Sequence, residues 1–316
     1  MHKKIVLQAI LPFKKKMQFL QGMRAYIFTG QGSQYPGMGM ELYEASDLAK
    51  EYFDKANDAV KFDIRKIMFE GSAEELRRTE IAQLAIFIHS VIQIKIARDF
   101  KPDMVAGHSL GELSALAANR TISFGAGVKL VYARAKAMQM ACDLVPSTMA
   151  AVIGLEDEVV KEVCEGIDGI VVAANFNCPG QIVISGEINA VNEANAKLKE
   201  AGARMTVALN VSGAFHSPLM SPAVDEFHKA FEAISWKEPL CPVYSNVDGL
   251  PTTDVETIKN NLLKQITSPV LWSKCVLQMT EDGAYDFIEV GPKPILVPMI
   301  KKITTKPSAR TFEWKL

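Results

Sequence analysis

The hexapeptide Gly107-His108-Ser109-Leu110-Gly111-Glu112 joins an apolar run, Pro102 to Ala106, to an alanine-rich segment from Leu110 to Ala118. Strand, sharp turn and helix, with serine at the apex, is the arrangement of a nucleophile elbow. The two glycines flanking Ser109 have a steric job. A side chain at either position in so tight a turn would strike the neighbouring strand or helix. A hydroxyl at a helix N-terminus also lies beside free backbone N–H groups, which can stabilise an oxyanion on an attacked carbonyl. The competing reading is plainer, since serine at that position often serves only as a helix cap.

Size and composition bound what surrounds this turn. The 316 residues suffice for two domains, or for one with an insertion, and 48% hydrophobic with 22% charged residues is ordinary for a globular protein. A net charge of −1 argues against a broad nucleic-acid-binding surface. The five cysteines, Cys142, Cys164, Cys178, Cys241 and Cys275, are scattered and show no C-x-x-C spacing. A disulfide framework or zinc site is not expected, and a reducing cytoplasm fits. The longest stretch free of Asp, Glu, Lys and Arg, Met205 to Val224, is broken by Asn210, His216 and prolines, so no membrane span is expected. Residues 1–22 hold two lysine clusters around a short apolar run and lack the long apolar core of a signal peptide. They read as an appendage without a function of its own.

From Ala25 to Phe28 the chain reads as a buried strand that runs into a glycine-rich loop, Thr29-Gly30-Gln31-Gly32-Ser33-Gln34. Helices are expected near 41–60 and 73–98, the latter opened by a capping box at Ser72-Ala73-Glu74-Glu75, and near 124–142. From Met149 to Leu209 the order is strand, helix, strand, strand, helix, strand, the split βαβ unit of a ferredoxin-like domain. The expected division is a larger domain from 23–145 and 211–316, interrupted by a smaller one over 146–210. The larger domain is expected to end with a helix near 221–233, a strand at Pro242–Tyr244, helices near 255–265 and 270–281, and a strand at Tyr285–Val290. An inserted domain makes a cleft, and sites favour such boundaries.

A nucleophilic serine needs a base, and there are five histidines. His2 lies in the appendage. His89, within Ile86-Phe87-Ile88-His89-Ser90, reads as a satisfied core histidine, and His228 as a solvated one on an amphipathic helix. His108 is too close in sequence to reach Ser109 well and is expected to bond or pack against the loop. His216 remains, in Ala214-Phe215-His216-Ser217-Pro218, on a structured loop at the domain return. No aspartate follows it closely, so a backbone carbonyl could hold its second nitrogen. Arg134, on the helix after the elbow, would bind a carboxylate through its paired N–H fork if it faced the serine. A solvated helix arginine is the alternative.

Together, Phe28-Thr29-Gly30-Gln31-Gly32-Ser33-Gln34, Gly107 to Glu112, Arg134 with Gln139, Ala214-Phe215-His216-Ser217 and Glu289-Val290-Gly291-Pro292 resemble the malonyl-CoA:acyl carrier protein transacylases of type II fatty acid synthesis. The resemblance spans Met23 to Leu296, in the family's motif order. It implies an α/β-hydrolase-like larger domain, with a short parallel sheet, carrying the ferredoxin-like insertion. It implies Ser109 as nucleophile, His216 as base and Arg134 as the clamp on the malonyl carboxylate. The backbone N–H groups of Gln31 and Leu110 correspond to the oxyanion hole, and the main-chain carbonyl of Gln265 to the holder of the base's second nitrogen. Asn175, Asn177 and Gln181 fall near the family's thioester-arm surface. Leu110 and Phe215 resemble malonyl-selective rather than methylmalonyl-selective members.

The implied reaction is ping-pong acyl transfer from malonyl-CoA, a substrate, to acyl carrier protein, with no cofactor. A cytoplasmic monomer, binding neither nucleic acid nor membrane, is the expectation. A polyketide acyltransferase shares the chemistry. A serine esterase would want an acid between serine and histidine and an HGGG-type upstream loop, where this chain has Thr-Gly-Gln-Gly-Ser-Gln. A catalytically dead carrier-binding module would not need all three of Ser109, His216 and Arg134.

Overall fold

The structure is a computed structural model that describes residues 22–314. Apart from Gly22, the expected appendage at 1–22 lies outside the described residues. Along the chain, β1 (Met23–Phe28) is followed by α1 (Met40–Ala45), α2 (Asp47–Val60), α3 (Ile64–Glu70) and α4 (Thr79–Ile96). β2 (Met104–Gly107) leads through the elbow into α5 (Gly111–Ala118), and α6 (Phe124–Leu144) follows. Next come β3 (Ser147–Ile153), α7 (Asp157–Glu165), β4 (Val171–Cys178), β5 (Gln181–Glu187), α8 (Ile188–Glu200) and β6 (Met205–Ala208). The remainder is α9 (Ser221–Lys229), β7 (Val243–Tyr244), β8 (Pro251–Thr252), α10 (Val255–Gln265), α11 (Trp272–Glu281), β9 (Ala284–Val290), α12 (Val297–Ile303) and β10 (Ser308–Thr311).

Two sheets result. The first has six strands in the order β10-β9-β1-β2-β7-β8, parallel except for the β7–β8 pair. β1 lies inside it, and Ala25 to Phe28 are buried on both faces, as a central parallel strand requires. Phe28 is in register with Gly107 on one side and Val290 on the other. The carboxyl ends of β1, β2 and β9 therefore finish together, where ligands collect in open α/β sheets. The second sheet is antiparallel, in the order β4-β5-β3-β6. Val160, Ala194 and Leu198 of α7 and α8 pack into its own core. Backbone bonds at Val270, in the loop between α10 and α11, tie that loop to β4: its carbonyl accepts from Phe176 N–H at 2.9 Å and its N–H donates to the Ala174 carbonyl at 2.8 Å.

Several elements differ from the sequence reading. The expected 41–60 helix is two helices, broken at Ser46, whose hydroxyl caps α2. Ser72 does cap, accepting from Glu75 N–H at 3.1 Å, but it opens only a short 3-10 turn, Glu75–Arg77, and the long helix starts at Thr79. α9 stops at Lys229, short of 233. α3, α12, β8 and β10 were not foreseen; each is at most seven residues long, too short to show a period. The Glu289-Val290-Gly291-Pro292 motif turns out to be architectural. The buried Glu289 carboxylate accepts from the N–H groups of Ile295, Leu296 and Val297, capping the start of α12. A Cβ on Gly291 would lie 2.0 Å from Thr29 Oγ1.

Helix α4 is long and apolar enough to cross a membrane, but Leu84, Ile88 and Ile92 are fully buried inside the protein. All five cysteines are buried and unpaired.

Candidate active site

The elbow is held by contacts that admit only glycine. A Cβ on Gly107 would lie 1.9 Å from the Gly111 carbonyl carbon, and one on Gly111 would lie 2.2 Å from the Phe28 carbonyl oxygen. Backbone cannot yield as a side chain can. Ser109 itself sits at φ 52°, and His216 at φ 59°, so both carry the strained left-handed conformation that clusters at functional sites. The strain at Ser109 is held by Asn246: its Oδ1 accepts from Ser109 N–H at 2.7 Å, and its Nδ2 donates to the Gly107 carbonyl at 2.8 Å.

His216 Nε2 lies 2.7 Å from Ser109 Oγ. Its Nδ1 lies 2.8 Å from the main-chain carbonyl of Gln265, which accepts and cannot donate. Nδ1 therefore carries the proton, and Nε2 presents its lone pair to the serine. The hydroxyl donates to that lone pair and accepts from Arg134 Nη2 at 3.1 Å. Arg134 is 1% exposed, so the alternative of a solvated helix arginine is ruled out. Its Nη1 donates to Gln83 Oε1 at 2.7 Å, and its Nη2 to Gln265 Oε1 at 2.9 Å.

The charges of the site follow from burial. Burial, with help from the Arg134 charge, pushes the His216 imidazole down to about 3, so it is a neutral acceptor near neutral pH. Burial also lowers Arg134 to about 10, opposed by Glu112, which leaves the guanidinium charged. Glu112 is pushed up to about 8 by burial, against the N–H groups of Asn246 and Gln265 and the Arg134 charge. Since both its oxygens accept from N–H donors, the geometry calls for the carboxylate.

The remaining expected residues divide. Leu110 is buried at the start of α5. Gln31 reaches the site by its side chain, whose Oε1 accepts from Gln83 Nε2 at 3.2 Å. Its loop packs on the elbow, where a Cβ on Gly30 would lie 2.5 Å from the His108 carbonyl oxygen. Phe215 is buried, and its carbonyl accepts from Ser185 Oγ at 2.7 Å. Asn177 Oδ1 accepts from His108 Nε2–H at 2.9 Å, so the His108 side chain bonds β4. Asn175 and Gln181 make no hydrogen bond to Ser109, His216 or Arg134; Gln181 Oε1 accepts from Cys178 Sγ at 3.6 Å. Gln139 bonds Asp143 on its own helix. His89 is buried, but only Nε2 is satisfied, by Glu41 at 3.2 Å, while Nδ1 has no partner. His228 is exposed.

Three contributors were missed. Gln83 is the polar residue inside the apolar run from Ile81 to Ile88, a signal that was there to read. Glu112 was visible within the hexapeptide but was given no role. Asn246 follows a two-residue strand, and nothing local marks it. A cleft of about 470 Å³ runs from Gln31 past Tyr35, Arg77, Leu209 and Val211 to Lys293. Among the described residues, no His, Cys, Asp and Glu cluster has metal-binding geometry.

The profile of the family described as "Acyl transferase domain" matches residues 25–311. The chain belongs to the acyl transferase domain family. A relative in Bacillus subtilis (strain 168), a malonyl CoA-acyl carrier protein transacylase, is 39% identical over 287 residues, covering 89% of this chain and 90% of the relative. Among solved structures, an acyl carrier protein S-malonyltransferase from Vibrio cholerae superposes with a TM-score of 0.87 at 37% identity, over 93% of this chain and 97% of that one. A malonyl-transacylase solved in complex with its type II PKS acyl-carrier protein gives a TM-score of 0.88 at 36% identity, over 93% and 96%.

Proposed function

We propose that this chain moves a malonyl group from malonyl-CoA to the phosphopantetheine thiol of acyl carrier protein, through malonyl-Ser109, in fatty acid biosynthesis. The observation that carries the reading is the convergence on Ser109 Oγ of His216 Nε2 at 2.7 Å and Arg134 Nη2 at 3.1 Å. His216 takes the hydroxyl proton as Oγ attacks the thioester carbonyl, then returns it to the departing CoA sulfur. The backbone N–H groups of Leu110 and Gln31 receive the oxyanion; one such donor typically contributes about 2.7–4 kcal/mol to lowering the barrier. The carrier-protein thiol then gives its proton to His216 as it attacks malonyl-Ser109, and His216 passes that proton to Ser109 Oγ as the acyl–oxygen bond breaks. Arg134 holds the free carboxylate and so separates malonyl from acetyl.

In this reading the four-stranded sheet is a ferredoxin-like insertion over 146–210 in an α/β-hydrolase-like domain of 23–145 and 211–316. Its strand order supports that description. The cleft from Gln31 receives the substrate arm, with Arg77 and Lys293 near its phosphates. Asn175, Asn177 and Gln181 flank the arm. The protein works as a cytoplasmic monomer with no cofactor, binding neither membrane nor nucleic acid. An esterase would place a carboxylate on the second imidazole nitrogen, where Gln265 offers a carbonyl.

Intact-mass measurement after mixing with malonyl-CoA tests the reaction. One added malonyl group is expected on the wild type and none on Ser109→Ala; malonyl retained by Ser109→Ala refutes the assignment. Phe215 is proposed to fill the space of an α-methyl branch. Phe215→Ala should then raise kcat/KM for methylmalonyl-CoA relative to malonyl-CoA, and an unchanged ratio removes that role.

A further inference from the structure

Arg134 is a buried cation with no carboxylate hydrogen-bonded to it among the described residues. Its acceptors are two amide oxygens, on Gln83 and Gln265, and the Ser109 hydroxyl. A buried charge needs compensation. The compensating carboxylate stands one side chain away. Glu112 is 3% exposed and accepts from the Asn246 N–H through one oxygen and from Gln265 Nε2 through the other.

Gln265 is the spacer. Its Oε1 accepts from Arg134 Nη2 at 2.9 Å, while its Nε2 donates to Glu112 and, at 3.1 Å, to the Ser109 carbonyl. An amide can accept from a guanidinium at one end and donate to a carboxylate at the other. The flipped amide would set N–H against N–H at Arg134 and oxygen against oxygen at Glu112. The same residue's main-chain carbonyl holds His216 Nδ1, so one residue orients both base and clamp.

We infer that Glu112 is a positioning residue acting through Gln265: it locks the amide that aims Arg134 and keeps the counter-charge one side chain away, so that the guanidinium stays open to a carboxylate-bearing acyl group. This rests on the reading of Arg134 as the malonyl clamp. A direct acid–arginine pair would have to be broken by each incoming substrate carboxylate. An apolar residue at 112 would leave the amide free to turn over.

The test compares kcat and KM for malonyl-CoA and acetyl-CoA in Glu112→Gln and in Glu112→Gln/Gln265→Glu, with melting curves for each. Glutamine at 112 can still accept from Asn246 but presents N–H to N–H at Gln265. Its malonyl kcat/KM should fall by about 10–100-fold, mainly through KM, with a much smaller change for acetyl-CoA. The double variant puts the carboxylate directly on Arg134. Its malonyl KM should rise further while acetyl transfer persists. An unchanged malonyl-to-acetyl preference in Glu112→Gln overturns the inference. So does an equal loss on both substrates, which marks a merely structural role, and so does a double variant with wild-type malonyl KM. If Glu112→Gln does not fold, Glu112→Asp serves: it keeps the charge but falls short of Gln265, and it must show the same selective rise in malonyl KM. Malonyl uptake by Ser109→Ala, or undiminished malonyl preference in Arg134→Ala, would instead overturn the transferase reading itself.

Discussion

Arg134→Ala removes a guanidinium that is 1% exposed and donates to Gln83, Gln265 and Ser109 at 2.7, 2.9 and 3.1 Å. A hydrogen bond to a charged group contributes about 1.5–3 kcal/mol. A malonyl carboxylate seated on the fork makes up to two of them, or about 3–6 kcal/mol of transition-state binding, which is about 10²–10⁴-fold in kcat/KM. An acetyl group has no carboxylate to lose, and only the contact to Ser109 Oγ is forfeited, so acetyl transfer should fall by less than about tenfold or rise. Folding should suffer modestly, because losing the buried charge offsets part of the cost of leaving the Gln83 and Gln265 oxygens without their donor. The assay is the rate of acyl-enzyme formation from malonyl-CoA and acetyl-CoA, read by quenched intact mass, beside a melting curve. A parallel drop on both substrates in a folded variant would refute the clamp. Arg134→Lys should recover little, because an ammonium offers a point charge and no fork.

Two further outcomes follow from the geometry. Gly111→Ala drives a Cβ to 2.2 Å from a backbone oxygen, so the variant should lose about 1–3 kcal/mol or more and most of its activity; Gly125→Ala, with nothing within 4 Å, should be neutral or stabilising, and equal melting temperatures for the two would contradict the packing argument. His216 has its folded-state proton affinity depressed to about 3, below the ordinary 6.5, so the unfolded chain takes up that proton first. The stability this contributes is present above pH 6.5 and is lost as pH falls from there toward 3. Acetyl loading should show no acid limb near 6.5, and a limb there in the pH–rate profile would show that the imidazole is not desolvated as described.

The elbow was legible because its constraints are local: strand, glycine, serine, glycine and helix are adjacent in the chain, and the steric reason for each glycine can be argued without a fold. The order from Ser147 to Ala208 was legible for the same reason, since alternating apolar strands and amphipathic helices announce themselves by period. The short elements near 64–70, 251–252, 297–303 and 308–311 were not, because so few residues show no period and are held by neighbours distant in sequence.

The sequence by itself determined which side chains were candidates: a serine at a forced turn, one histidine on a loop at the domain return, and an arginine on the next helix. Only the tertiary structure decided that Arg134 is buried against Ser109 rather than solvated, since one arginine on a helix looks the same either way until its neighbours are in place. It also decided the supporting shell. Gln83, Asn246, Glu112 and the Gln265 side chain come from α4, the loop after β7, α5 and α10, and their donors and acceptors match only after folding brings those elements together. Hydrogen bonding is directional and short-ranged, so such a network leaves no periodic trace along the chain.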